Sequence, residues 1–170
     1  MANEEHINLI KQGVDAWNAW REKNPEIHPD LSQMDLRGSK LQKINFSRSN
    51  LRECKLQFSN LASANLEGAN LTKSKLQETC LQNANMLSCD LSGAGMLESN
   101  LQYTNLENAN LEGVQFNEDT LLNQTNLKGA NLLLATGLST SQLSQVLTDK
   151  KTQLPDYLEE EMDDDFLLQF

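Results

Sequence analysis

The chain has 170 residues, 38% of them apolar and only 5% aromatic, which is lean for a jigsaw-packed globular core and calls for some regular compensation. No apolar run approaches the roughly 20 residues that cross a bilayer, and three cysteines (Cys54, Cys80 and Cys89) without a C-x-x-C pair suggest neither a disulfide framework nor a zinc site. The net charge of −10 is uneven: residues 1–29 hold five acids and three bases, residues 30–135 eleven and nine, and residues 136–170 eight and two, so most of the acidity lies in the tail.

The amino terminus, Met1 to Glu5, has neither the basic start nor the apolar stretch of a secretory signal, and predicts a cytoplasmic protein. Residues 3–22 are predicted to form one helix. Ile7, Ile10, Val14 and Trp17 follow spacings of three, four and three, and Asn24 and Pro25 stop the run. The stretch is acidic and lacks the basic face of a membrane-surface helix, so residues 1–28 are read as a cap whose apolar face covers the segment after it. His6 and His28 lie apart from any cysteine cluster and without H-E-x-x-H spacing, which makes them structural or surface groups.

From Leu31 a period of five takes over. Large apolar residues recur at Leu31, Leu36, Leu41, Phe46, Leu51 and onward through Leu106, Leu111 and Phe116 without a miss. Two places before these centres the residue is nearly always small, as at Ser49, Cys54, Ala64, Ala69, Ala84 and Cys89, and the residue just before the centre is usually Asn or Asp. Five matches neither the helical period of 3.6 nor the strand period of two. A chain that turns a corner every five residues explains it, with one large and one small side chain inward per side and Asn, Asp, Gly and Ser at the corners. Stacked coils then pair along the axis at the strand separation of about 4.8 Å.

The units Ala64-Asn65-Leu66-Glu67-Gly68 and Ala109-Asn110-Leu111-Glu112-Gly113 resemble the pentapeptide-repeat proteins, over roughly residues 30–135. The resemblance implies an all-β solenoid: a right-handed quadrilateral β-helix of about five coils with N-terminal and C-terminal helical caps. The flank, Trp17 to Arg21 followed by Pro29-Asp30-Leu31, is similar to bacterial and notably cyanobacterial members. Residues 29–135 are therefore assigned to the β-helix.

After Phe116 the phase slips by one residue, since the next clear units centre on Leu127 and Leu132. With Leu122 as the intervening centre, a single insertion is placed within Asn117–Leu122, as a tolerated bulge. Residues 136–170 are read as a short helix within Leu138–Leu147, with Ser139 to Ser141 as candidate N-caps, followed by an acidic tail, Glu159 to Asp165, and an apolar end, Phe166 to Phe170. Closing elements are needed because an open coil end exposes apolar side chains and unpaired backbone.

No catalytic, cofactor-binding or metal constellation is found, so the chain is read as a non-enzyme without a cofactor. Residues twenty apart stack, and on one side Arg37, Lys55 and Lys75 begin a basic run that Glu78, Glu98 and Glu118 continue as an acidic one, beside outward Phe58 and Leu97. Phe58, Glu78, Leu97, Glu98 and Glu118 form the candidate interaction surface, and a basic partner surface would neutralise the glutamates. The reading is a rigid scaffold for an unknown protein partner, with no direct nucleic-acid or membrane contact and an open oligomeric state. The competing reading is duplex-DNA mimicry against gyrase, which some relatives of this type perform. A mimic needs dense negative charge, whereas residues 30–75 carry eight bases and four acids.

Overall fold

The computed structural model describes residues 2–161. From Asp30 the chain winds in a four-sided coil, and parallel bridges such as Asp30 to Asn50, Asp35 to Lys55, Lys40 to Asn60 and Asn45 to Asn65 join each side to the same side twenty residues on. The first side has centres Leu31, Leu51, Leu71, Leu91 and Leu111, and the second Leu36, Leu56, Leu76, Met96 and Phe116. The third has Leu41, Leu61, Leu81, Leu101 and Leu122, the fourth Phe46, Leu66, Met86, Leu106 and Leu127, and all of these centres are buried.

Local hydrogen bonding explains the five-residue rule. At nearly every corner the N–H of the third residue after a centre donates back to that centre's carbonyl, as Met34 does to Leu31 at 3.2 Å and Ser49 to Phe46 at 3.1 Å. The second residue after the centre takes a positive φ at nearly every corner, as a type II turn demands: 63° at Phe58, 54° at Glu78 and 59° at Tyr103. In the small inward site, threonine hydroxyls donate to the centre carbonyl of the coil below, Thr79 to Leu56 at 2.8 Å and Thr104 to Leu81 at 2.7 Å.

The Asn and Asp residues expected at corners sit instead on the sides as the bridging residues, and Cys80 stands in the same position between Asn60 and Asn100. Their side chains explain the preference. Asn45 Oδ1 accepts from the Ser47 N–H at 3.1 Å and Asn70 Oδ1 from Thr72 at 3.0 Å, which starts the turn. Their amides also donate down the stack, Asn50 to Asp30 at 3.0 Å on the first side and Asn126 to Asn105 at 3.0 Å on the fourth. The second side abandons this ladder and places Lys55, Lys75, Gly95 and Gln115 there.

The predicted insertion is present: bridge partners are twenty apart up to Gly95–Gln115, and the four bridges that straddle the insertion, from Asn100–Leu121 to Gln115–Thr136, are twenty-one apart. At that corner Asn117 Oδ1 accepts the Glu98 N–H at 2.9 Å, replacing the backbone carbonyl that serves Glu78 one coil below, Leu97 O at 3.0 Å.

The single helix expected over residues 3–22 is two, α1 (Glu4–Ile10) and α2 (Val14–Lys23). The break is at Gly13, whose φ of 101° no helix accommodates. Both helices bond to the first coil. His6 Nδ1 accepts from Asp30 N at 3.0 Å, Trp17 Nε1 donates to Asn45 O at 2.7 Å, Asn18 Oδ1 accepts from Asn45 N at 2.8 Å, and Arg21 donates to Ser47 O at 3.0 Å. Trp17 is fully buried with its ring edge-on to Phe46 at 5.5 Å, and Ile10 is buried, while Ile7 and Val14 are half-buried.

At the other end the helix expected within Leu138–Leu147 is one turn, α3 (Thr140–Leu143), held by a reciprocal capping box between Ser139 and Gln142. It stops early because the chain rejoins the ladder, Leu147 bridging Asn126 and Gln153 bridging Asn131, and this leaves Leu147 exposed. The acidic stretch beyond Pro155 begins with a further helix, α4 (Asp156–Glu161). The rest of the acidic run and its apolar end lie outside the described residues.

Candidate interaction surface

The edge between the second and third sides carries the residues singled out from the sequence. Phe58 is 61% exposed, and Glu78 and Glu98 stand exposed in the next two coils directly above it. Backbone bonds fix that stacking: Phe58 N donates to Gln77 O at 3.2 Å and Glu78 N to Leu97 O at 3.0 Å. Glu118 is exposed too, but the inserted residue falls at its corner and interrupts the step from Glu98. Leu97 is half-buried, not outward as expected, on the side where Gly95 is buried and the Gln77 amide crowds the space a Cβ on Gly95 would take.

On the second side Lys55 and Lys75 are bridge partners, both exposed. Arg37, the expected third member of that basic run, is neutralised: its Nε donates to Asp35 at 2.8 Å, and this hydrogen bond holds the Asp35 carboxyl down at about 2.

The third side adds what the sequence reading missed. Its outward residues from Asn60 through Ala62, Ser63, Cys80, Gln82, Asn83, Asn100, Gln102, Tyr103, Leu121 and Asn123 to Gln124 include no charged group. Within it Tyr103 is 57% and Leu121 44% exposed. Tyr103 occupies the same repeat position as Phe58 but one corner on, at the edge between the third and fourth sides, so the same reasoning applied to every corner would have found it. Leu121 was hidden because the phase slip obscures that it stands where Asn stands elsewhere. A neutral strip with an exposed aromatic, rimmed by glutamates, has the make-up of a protein interface core with a polar rim.

The geometry offers no chemistry to the thiols. Burial pushes Cys54 up to about 12 and Cys89 higher still, while Cys80 is half-buried at a bridging position. A thiolate is the reactive form, so in the native protein an aromatic disulfide reagent at pH 8 is expected to titrate Cys80 only, with Cys54 and Cys89 reacting after unfolding. Rapid modification of all three thiols without denaturant would contradict the packing described. Among the described residues no group of His, Cys, Asp and Glu is placed to hold a metal ion, and no helix is long and apolar enough to cross a membrane.

A family model for pentapeptide repeats matches eight copies, over residues 30–68, 49–86 and 88–117. The chain belongs to the pentapeptide-repeat family. Pentapeptide-repeat proteins are in general structural or binding proteins, and their fold is the right-handed quadrilateral β-helix. Among solved members, one from the Arabidopsis thaliana thylakoid lumen is 31% identical, with 66% of this chain and 70% of that one covered and a TM-score of 0.49. HetL, involved in heterocyst differentiation regulation in the cyanobacterium Nostoc, is 25% identical, with 71% and 61% covered and a TM-score of 0.37. QnrB1, a plasmid-mediated fluoroquinolone resistance protein, is 15% identical, with 78% and 82% covered and a TM-score of 0.38. No curated protein matches the chain.

Proposed function

We propose that this pentapeptide-repeat protein is a non-enzymatic scaffold: a rigid rod of about five coils, closed by helical caps, that binds another protein in the bacterial cytoplasm along the edge between its second and third sides. The observation that carries this reading is the stretch of the third side from Asn60 to Gln124, free of charged groups and with exposed Tyr103 and Leu121, bordered on its second-side edge by Phe58, Glu78, Glu98 and Glu118. Interface cores are depleted in charge and enriched in aromatics, and rim charges select a complementary partner. That partner presents an apolar centre beside basic residues. The stacked Lys55 and Lys75 favour a protein scaffold over duplex mimicry, because they would repel a phosphate-binding groove.

The test places a photo-reactive phenylalanine analogue at Tyr103 and, as a control, at Ser92 on the far edge of the second side, followed by cross-linking in a lysate of the source organism. A discrete adduct is expected from position 103 and none from position 92. The triple change Glu78→Gln, Glu98→Gln, Glu118→Gln is expected to weaken capture in a salt-dependent way and to leave the melting temperature unchanged or slightly raised, since it removes like-charge neighbours. Equal adducts from both positions, or capture indifferent to the triple change, would move the interface elsewhere. Potent inhibition of gyrase supercoiling would favour the mimic.

A further inference from the structure

The two ends of the coil are closed unequally. Below the first coil, α1 and α2 satisfy the backbone of two sides: the N–H and C=O of Asp30 bond to His6 and the Asn3 N–H, and those of Asn45 to Asn18 and Trp17. The other two sides receive nothing. Among the described residues the N–H and C=O of Asp35 and of Lys40 have no hydrogen-bond partner, although Asp35 bridges upward to Lys55 on the second side and Lys40 to Asn60 on the third. Beside them lies a cavity of about 320 Å³, floored by Ile10, Val14, Met34, Leu36 and Leu41 and rimmed by Lys11 and Lys40. Asp35, the acid on that rim, is already paired with Arg37.

Unpaired ladder groups over an apolar floor make a template for one more extended strand. We propose that this half-open end receives the C-terminal segment, Asp163 to Phe170, of a second copy of the chain. Three properties single out this occupant. In an extended strand Phe166, Leu168 and Phe170 share one side, which suits the apolar floor, and Asp163 to Asp165 precede them as partners for exposed Lys11 and Lys40. The groove of about 620 Å³ nearer the tail's origin, against Leu133, Leu134 and Tyr157, is bordered by Glu112 and Asp156, so its charge opposes the aspartates. The receiving end and Gln153 stand apart in one copy, because the six bridge steps from Asp30 to Gln153 span about 29 Å at about 4.8 Å each, and two copies stacked end to end bring the tail of one beside the open end of the next. Tail-to-end contact of this kind is heterologous and propagates from copy to copy.

The test is sedimentation of the full-length protein over a concentration series at low and high salt. The mass is expected to rise with concentration past that of a dimer, and to return to that of the 19.1 kDa monomer in the full-length variant Phe166→Asp, Leu168→Asp, Phe170→Asp and in the variant Lys11→Glu, Lys40→Glu. Neither lysine makes a hydrogen bond or ion pair through its side chain among the described residues, so the second variant is expected to melt as the parent does. A labelled peptide of residues 162–170 is expected to bind the Asp-substituted full-length protein, and at least about tenfold more weakly when Lys11→Glu and Lys40→Glu are added. A parent that stays monomeric throughout overturns the proposal, and if its melting temperature falls on the triple Asp change, the tail occupies its own groove by Leu133 and Leu134. Assembly that survives either variant overturns it as well.

Discussion

Replacing Leu66 or Leu71 with Asp is expected to abolish the folded solenoid, read as loss of the cooperative thermal transition in circular dichroism. Both leucines are 0% exposed and belong to the continuous apolar core, stacked between centres of the coils above and below. An unpaired buried charge costs several kcal/mol after relaxation, and the cavity left by the lost isobutyl group adds roughly 2–5 kcal/mol. The total exceeds a large part of the roughly 5–15 kcal/mol by which domains are stable. A control, Glu67→Asp, changes an exposed neighbour and is expected to melt as the parent does. An unaltered transition in the Leu66 or Leu71 variants would refute the inward assignment of the centres.

Trp17→Ala is expected to have the second largest effect, about 3–5 kcal/mol of stability, concentrated at the N-terminal end. The indole is fully buried, packs on Phe46 and Trp20, and holds the Asn45 carbonyl through Nε1. Its removal leaves that carbonyl unpaired beneath the first coil, at a further cost of about 1–3 kcal/mol unless water enters. Because each coil touches only its neighbours, loss should begin at that end and propagate. Hydrogen exchange should therefore show protection lost over residues 31–50 before residues 91–110. Uniform loss of protection along the chain would mean that the helices do not control the end.

The repeat was legible because its cause is local. Centre, small residue and corner recur in sequence wherever they recur in space, so Leu31 to Phe116 and the slip after Asn117 could be read directly. What was not legible depended on contacts between distant segments. The split of the first helix turns on Gly13, whose positive φ leaves no periodic trace. The end of α3 at Leu143 is set by Leu147 pairing with Asn126, a long-range bond. The asparagines were assigned to corners because Asn favours turns, yet their amides serve the ladder as well as the turn, and only the stacked geometry separates those roles. Of the candidate surface, Phe58, Glu78 and Glu98 stand outward as read, whereas Leu97 is half-buried, and Tyr103 and Leu121 emerged only once the third side could be viewed as a whole.

The corners carry a conflict between folding and display. Among the described residues fifteen other than glycine hold positive φ, including Phe58, Glu78, Glu98 and Tyr103. The left-handed region costs an L-residue with a Cβ on the order of 1 kcal/mol, and glycine enters it without that penalty. Each side chain offered to a partner at these corners is thus held against its own conformational preference, and the regular core supplies the surplus that permits it. A coil with glycine at every such corner would meet the backbone's demand with less strain and would have almost nothing to say to another molecule.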